Sequence, residues 1–176
     1  MTARLRSKNE KTMITQSELK EVLEYNPDTG VFTWKKTVNS RAVAGSVAGH
    51  QDCSVYIQIS IYRKKYRAHR LAFLYMTGEW PNELVDHINQ IKDDNRWSNL
   101  RQATVSENNI NSKKPKNNKS GYRGVHWDTT KNKWVAMIKY KYKKMNLGAY
   151  VNIEDAAAAY KKAALELYGK FAETQQ

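Results

Sequence analysis

The sequence predicts an α+β fold made of small antiparallel sheets and short helices. Three observations carry this. Residues 55–61 (VYIQISI) place Val55, Ile57, Ile59 and Ile61 on one side of an extended chain. Residues 121–150 contain three strand-like stretches, and an alanine-rich helical segment follows them. Between these regions, residues 79–111 are rich in Asp, Asn and Trp and poor in apolar periodicity, which predicts a loop-dominated unit between a short strand and a short helix.

Residues 12–25 (TMITQSELKEVLEY) read as an amphipathic helix, with Leu19, Val22 and Leu23 on one face and Thr15 or Ser17 placed to cap its start. Asn26-Pro27-Asp28-Thr29-Gly30 is dense turn chemistry. Strand candidates cover 31–35, 42–48, 54–61 and 65–68, with a basic hairpin turn at 62–65. Residues 69–77 read as a helix that stops at Gly78, and 84–87 as a short strand. Thr104 followed by Glu107 is a capping-box pattern, so a helix is expected from Val105. Residues 112–120 (SKKPKNNKS) have nothing to bury and read as a flexible basic linker. Three strands are then expected within 121–128, 133–140 and 143–150. Asn152 to Asp155 repeats the capping-box pattern before a helix with Ala157, Tyr160, Ala164 and Leu167 on one stripe, ended by Gly169. The expected organisation is an N-terminal helix plus β-rich region over 12–68, a middle unit over 69–111, the linker, and a three-stranded sheet packed on one helix over 121–172.

The chain has 176 residues, and 30 Lys and Arg against 17 Asp and Glu give a net charge of +13. The excess is concentrated: within 111–148, Asp128 is the single acidic residue among eleven basic ones. Such a block suits a polyanion, because each cation that neutralises a phosphate releases condensed counterion. No apolar run approaches the ~20 residues of a membrane-spanning helix, and the polar start carries no apolar signal stretch. The expected setting is therefore the cytoplasm, with no membrane and no small-molecule substrate. The lone Cys53 leaves no disulfide framework, and His50 with Cys53 makes no zinc site without further ligands. His69 reads as a structural histidine at a helix start.

Chemistry concentrates at 86–108. Asp86-His87 follows a short apolar strand, Asn99 lies 12 residues after His87, and Asn108 lies 21 after it. A carboxylate and an amide oxygen are hard donors suited to Mg²⁺ or Mn²⁺. An adjacent histidine can take a proton from water near neutral pH. Metal-assisted phosphodiester hydrolysis needs that set.

The stretch VDHINQIKDDNRWSNLRQATVSENN resembles the HNH (ββα-metal) nucleases, in particular the phage-type subgroup related to homing endonucleases. AHRLAFLYMTGEWPNELVDH and YNPDTGVFTWKK extend the likeness over roughly 15–112. The resemblance implies a ββα-metal unit at 69–111, one divalent ion held by Asp86 and Asn108, His87 as general base, and Asn99 as the residue that orients loop and histidine. It implies a structural or phosphate-contacting role for Asn95 and Arg96. It also implies a phage origin and hence a host-cell cytoplasm. Ile91 departs from the small or polar residue usual in this turn.

SGYRGVHWDTTKNKWVAMIKYKYKKMNLGAYVNIEDAAAAYKKAALELYGKFA resembles the Apetala-two (ethylene-response-factor) DNA-binding domain. The pieces that match are YRGV, KWVAMI, the LG before an aromatic, EDAAAAY and the final Leu-Tyr-Gly. That likeness implies that the exposed sheet face lies in the major groove of double-stranded DNA, with Arg123, His126, Lys139 and Lys144 at contact positions. Lys133, Lys113, Lys114 and Arg96 are the further cations expected on phosphate. Arg123 is the expected base contact, since arginine can bond guanine with two N–H groups. Asn146 stands where plant members usually have tryptophan, and Met137 where many have glutamate, so the plant target does not transfer. Strand alternation places Lys133, Val135, Met137 and Lys139 on the outward face, and Trp134, Ala136, Ile138 and Tyr140 against the helix. The resulting expectation is a DNA endonuclease with a tethered DNA-binding module, nicking as a monomer or cutting both strands as a homodimer. The alternative is a DNA-binding protein that keeps an inert nuclease fold.

Overall fold

The computed structural model describes residues 13–112 and 118–172. Lys113, Lys114 and most of the expected linker lie outside the described residues. The fold is α+β with small antiparallel sheets, in two compact units, 1–80 and 81–176. The second unit holds residues 81–111 of the expected middle unit together with the C-terminal sheet and its helix, and residues 69–80 fall in the first unit.

In the first unit, α1 (Gln16–Val22) begins at Thr15. The Glu18 N–H donates to the Thr15 hydroxyl and the Glu18 carboxylate accepts from the Thr15 N–H, satisfying two orphan donors of the first turn. The helix is shorter than expected because Leu23–Tyr25 leaves it as β1 and pairs with β2 (Phe32–Trp34) across the Asn26–Gly30 turn. The stretch 42–48 is not a strand. It turns at Gly45, and only isolated bonds such as Trp34 N–H to Ser46 O join it to β2. A short β3 (His50–Gln51), β4 (Ile57–Ile61) and β5 (Lys64–Arg67) form a three-stranded sheet. Ile59 and Ile61 are buried as the alternation requires, while Val55 is exposed in a turn at φ 70°. α2 (Ala68–Thr77) ends at Gly78, whose φ of 87° suits glycine. His69 is buried on α2, its ring 5.2 Å from that of Tyr56.

In the second unit, β6 (Leu84–His87) pairs antiparallel with β7 (Leu100–Ala103), and α3 (Val105–Asn111) follows at once. This is a ββα arrangement. The Thr104–Glu107 capping box forms as expected. The C-terminal sheet runs β10 (Lys143–Tyr150), β9 (Lys133–Tyr140), β8 (Val125–Asp128) in that order, packed on α4 (Ile153–Tyr168). Val125, Ala136 and Ile138 meet Ala156, Tyr160 and Ala164 in the core. The buried stripe of α4 is thus 156, 160, 164 and 168: Tyr160 and Ala164 are buried as expected, while Ala156 and Tyr168 take the places of Ala157 and Leu167. Ala157 and Leu167 flank it. Asn152 precedes α4 but makes no side-chain cap; its amide meets the Asp155 carboxylate instead. At Gly124 a methyl group would stand 2.2 Å from the Tyr160 ring, so only glycine lets β8 approach the helix this closely.

Candidate metal and nuclease centre

The β6–β7 hairpin sets the site. Antiparallel register places Asp86 opposite Arg101 and His87 opposite Leu100. Asp86 and His87 are both buried. The Arg101 Nε donates to Asp86 Oδ2 at 3.0 Å. On the other side of Arg101, the Phe171 ring lies 3.8 Å from the guanidinium carbon, and Nη1 donates to the Lys170 carbonyl at 3.2 Å. The C-terminal turn after α4 therefore buttresses the residue that pairs with Asp86. A second donor reaches Asp86 from α3. Asn111, 1% exposed, donates through Nδ2 to both carboxylate oxygens at 3.0 and 2.9 Å and to the His87 carbonyl at 2.9 Å.

The loop 88–99 is tied internally. Asn99 donates through Nδ2 to Asn89 Oδ1 and to the Asp94 carbonyl, and its Oδ1 accepts from the Asn89 N–H. Asn99 thus binds the two ends of the loop together, while a different residue touches the histidine ring. Asn95 Nδ2 donates to the Asp93 carbonyl, which fixes the other amide atom as the acceptor, and that Oδ1 lies 3.2 Å from His87 Nε2. His87 Nε2 therefore carries a proton, and Nδ1 is the proton-accepting nitrogen. Burial pushes the His87 pKa down against weaker upward pulls from Asn95 and Asp86, so the ring is neutral near pH 7.

Arg96, expected on phosphate, is forked onto Asp94: Nε donates to Oδ1 at 2.8 Å and Nη2 to Oδ2 at 2.6 Å. These bonds, with Asn89 Nδ2 at 2.6 Å, hold the Asp94 carboxyl at about 2 instead of 3.8. A carboxylate whose folded pKa is depressed adds stability above its unfolded value, and that stability is lost as pH falls through the folded one. Thermal midpoints measured from pH 5 down to pH 2 should therefore fall more steeply for the parent chain than for Asp94→Asn. Parallel curves would show that this fork adds no stability.

Hard oxygen donors are what the site offers a cation. Among the described residues, Asp86 Oδ2 accepts from Asn111 and Arg101, and Oδ1 from Asn111 alone, which leaves Oδ1 a lone pair. Asn108 lies three residues before Asn111, on the same face of α3, and is partly exposed. One carboxylate and one amide oxygen fit an ion that keeps its other positions for water and phosphate, as Mg²⁺ does. Among the described residues no group of three His, Cys, Asp or Glu side chains could hold a metal ion.

On the C-terminal sheet, Lys133, His126, Lys139 and Lys144 are exposed. Lys139 and Lys144 stand directly opposite each other across β9 and β10, an arrangement that costs stability unless an anion lies over it. Val135, expected on the outward face, is buried at 3%; it lies in the central strand between His126 and Ala149. Arg123, the expected base contact, lies in the turn before β8. Its Nη1 donates to the Asn109 carbonyl at 2.7 Å and Nη2 to the Ser112 carbonyl, so its guanidinium completes the C-terminal end of α3, and a guanine contact would break those bonds. Residue types alone missed Arg101 and Asn111. An Asp–Arg pair across a hairpin, and an asparagine beside buried Ile110 three residues after Asn108, were the signals available.

The profile of the HNH endonuclease family matches residues 66–110. Protein 3.8 of Escherichia phage T7 is 33% identical over 88 residues, which cover 50% of this chain and 72% of that protein. The uncharacterized HNH endonuclease L560 of Acanthamoeba polyphaga mimivirus is 34% identical over 110 residues, 61% of this chain and 56% of that one. A solved structure of DNA binding and cleavage by the HNH homing endonuclease I-HmuI aligns with 18% identity and a TM-score of 0.43, over 82% of this chain and 76% of that one. No helix among the described residues is long and apolar enough to cross a membrane. Residues 66–110 thus carry an HNH endonuclease segment, and half of the chain is similar to the phage protein.

Proposed function

We propose that the protein is a metal-dependent DNA endonuclease of the homing type, hydrolysing phosphodiester bonds in double-stranded DNA with His87 as general base. The observation that carries this reading is the pairing, at one hairpin end, of a buried neutral histidine, its Nε2 turned to Asn95, with a buried carboxylate bonded to Arg101. Asp86 and Asn108 would hold one Mg²⁺ or Mn²⁺. Bound there, the ion would supply charge neutralisation at the phosphate oxygens and the leaving oxygen. His87 Nδ1 takes the proton of the attacking water, and Asn95 holds the ring against rotation through Nε2. Asn99 keeps the loop closed, so that Asn95 stays in place.

The exposed lysines support a DNA-binding role for the Apetala-two-like sheet. That role is local concentration: once the sheet is on the duplex, the nuclease centre samples nearby phosphates. Replacing both Lys139 and Lys144 by alanine should lower the slope of log affinity against log salt by about 2, one for each phosphate no longer neutralised. Fluorescence anisotropy with duplex DNA across a range of salt concentrations measures it, and an unchanged slope would remove the sheet from the interface. A single centre acts on one phosphate at a time, so a monomer nicks.

Supercoiled plasmid incubated with the protein and Mg²⁺ or Mn²⁺, with ends mapped and EDTA as control, tests the activity. Nicked circles with recurrent ends, absent in EDTA, are expected. Intact plasmid under stable protein binding would favour a non-catalytic DNA-binding protein.

A further inference from the structure

Asn111 does more than the family set of Asp, His and two Asn requires. It is the last residue of α3 and almost fully buried, and its amide nitrogen donates to Asp86 and to His87. An amide nitrogen has two N–H groups. One is shared between the two carboxylate oxygens and the other goes to the His87 carbonyl. The first bond fixes the plane of the carboxylate; the second fixes the peptide between the two site residues. A structural staple from helix to strand needs only the carbonyl bond. The carboxylate bonds use lone pairs on the group that has to face a cation, and they come from a neutral donor. A second arginine there would cancel the carboxylate's charge, whereas an amide orients it and leaves the attraction intact.

The same bonds fix the rotation of α3. Asn108 precedes Asn111 by three residues, about 4.5 Å along the axis, on the same helix face. A helix clamped to β6 at Asn111 thus presents Asn108 to the same side as Asp86. We infer that Asn111 is a positioning residue that aims the Asp86 carboxylate, and through α3 the Asn108 amide oxygen, at one divalent ion. This rests on the proposed metal reading of Asp86. Partners that orient metal ligands typically contribute about 10–100-fold in metal affinity.

The test uses the full chain and Mn²⁺ alone, with binding followed by the loss of the free Mn²⁺ electron paramagnetic resonance signal. The variants are Asn111→Ser, the similarly sized and uncharged Asn111→Leu, and Asp86→Asn, each measured below its own thermal midpoint. Both Asn111 variants should bind Mn²⁺ at least about tenfold more weakly than the parent. Cleavage by Asn111→Ser should need correspondingly more Mn²⁺ to reach half its maximal rate. Parental Mn²⁺ affinity in either folded Asn111 variant, with affinity lost in Asp86→Asn, would overturn the positioning role and leave the metal reading standing. Parental affinity in Asp86→Asn would overturn both. If neither Asn111 variant folds, its role is in folding and the inference fails.

Discussion

His87→Ala should lower the single-turnover rate of DNA cleavage by about 10²–10⁴-fold, the usual contribution of a positioned general base. Duplex affinity should stay near that of the parent, because the cations that would meet phosphate lie on the C-terminal sheet and not on the β6–β7 hairpin. The reason lies in the ring. Burial disfavours the imidazolium, so the histidine is uncharged near pH 7 and contributes little to attraction for DNA. Its value is the lone pair on Nδ1, and that depends on Nε2 being protonated toward Asn95. Truncation also leaves Asn95 Oδ1 without the histidine donor, at about 1–3 kcal/mol. Rates should therefore be compared at a temperature where the variant is fully folded by circular dichroism. A rate close to that of the parent would mean that another group makes the nucleophile. Loss of DNA affinity in step with rate would mean that His87 binds rather than catalyses.

Asp86→Ala should be the most destabilising substitution in the second unit. Its carboxylate is the buried partner of a partly buried arginine, with Asp86 and Arg101 side chains 7% and 16% exposed. Removing one partner of a buried ion pair leaves the other charge uncompensated, at about 3–5 kcal/mol. The Arg101 Nη2 has no hydrogen-bond partner among the described residues, so the guanidinium is already under-satisfied. Asn111 would be deprived of its carboxylate acceptors as well. Chemical denaturation should show the destabilisation, and cleavage should vanish with the ligand. Asp86→Ala with Arg101→Leu should recover stability, since it removes the orphan charge, but no cleavage. That split separates folding from chemistry. A single variant as stable as the parent would show that the ion pair adds nothing to stability, and retained cleavage would exclude Asp86 from the site.

What the sequence made legible follows the range of the forces involved. The Thr104–Glu107 and Thr15–Glu18 caps are local hydrogen bonds between residues three apart, and both form. The strand 84–87 and the alternation at Ile59 and Ile61 are local patterns, and both hold. β7 escaped notice because Leu100 to Ala103 (LRQA) has little strand propensity of its own; pairing with β6 makes it a strand. The stretch 42–48 failed in the opposite way, with valine and alanine content overruled by the turn at Gly45. Among the site residues, Asp86, His87, Asn99 and Asn108 stand out by order and spacing. The partners that hold them do not. Arg101 meets Asp86 only when the hairpin register is set, and Asn111 meets it only when α3 packs on β6. Arg123, expected from its residue type to read a base, gives its donors to the carbonyls at the end of α3, a contact no local pattern announces.

Asp86 and Asn108 are proposed to share one divalent ion beside His87. Anomalous diffraction at the manganese edge, from crystals of the full chain grown with Mn²⁺, tests it most directly. The expected result is a single strong peak within coordination distance of Asp86 Oδ1 and Asn108 Oδ1, with His87 Nδ1 facing a water or phosphate next to it. A peak elsewhere, or an Asp86 carboxylate that binds only Arg101 and Asn111 at saturating Mn²⁺, would contradict it.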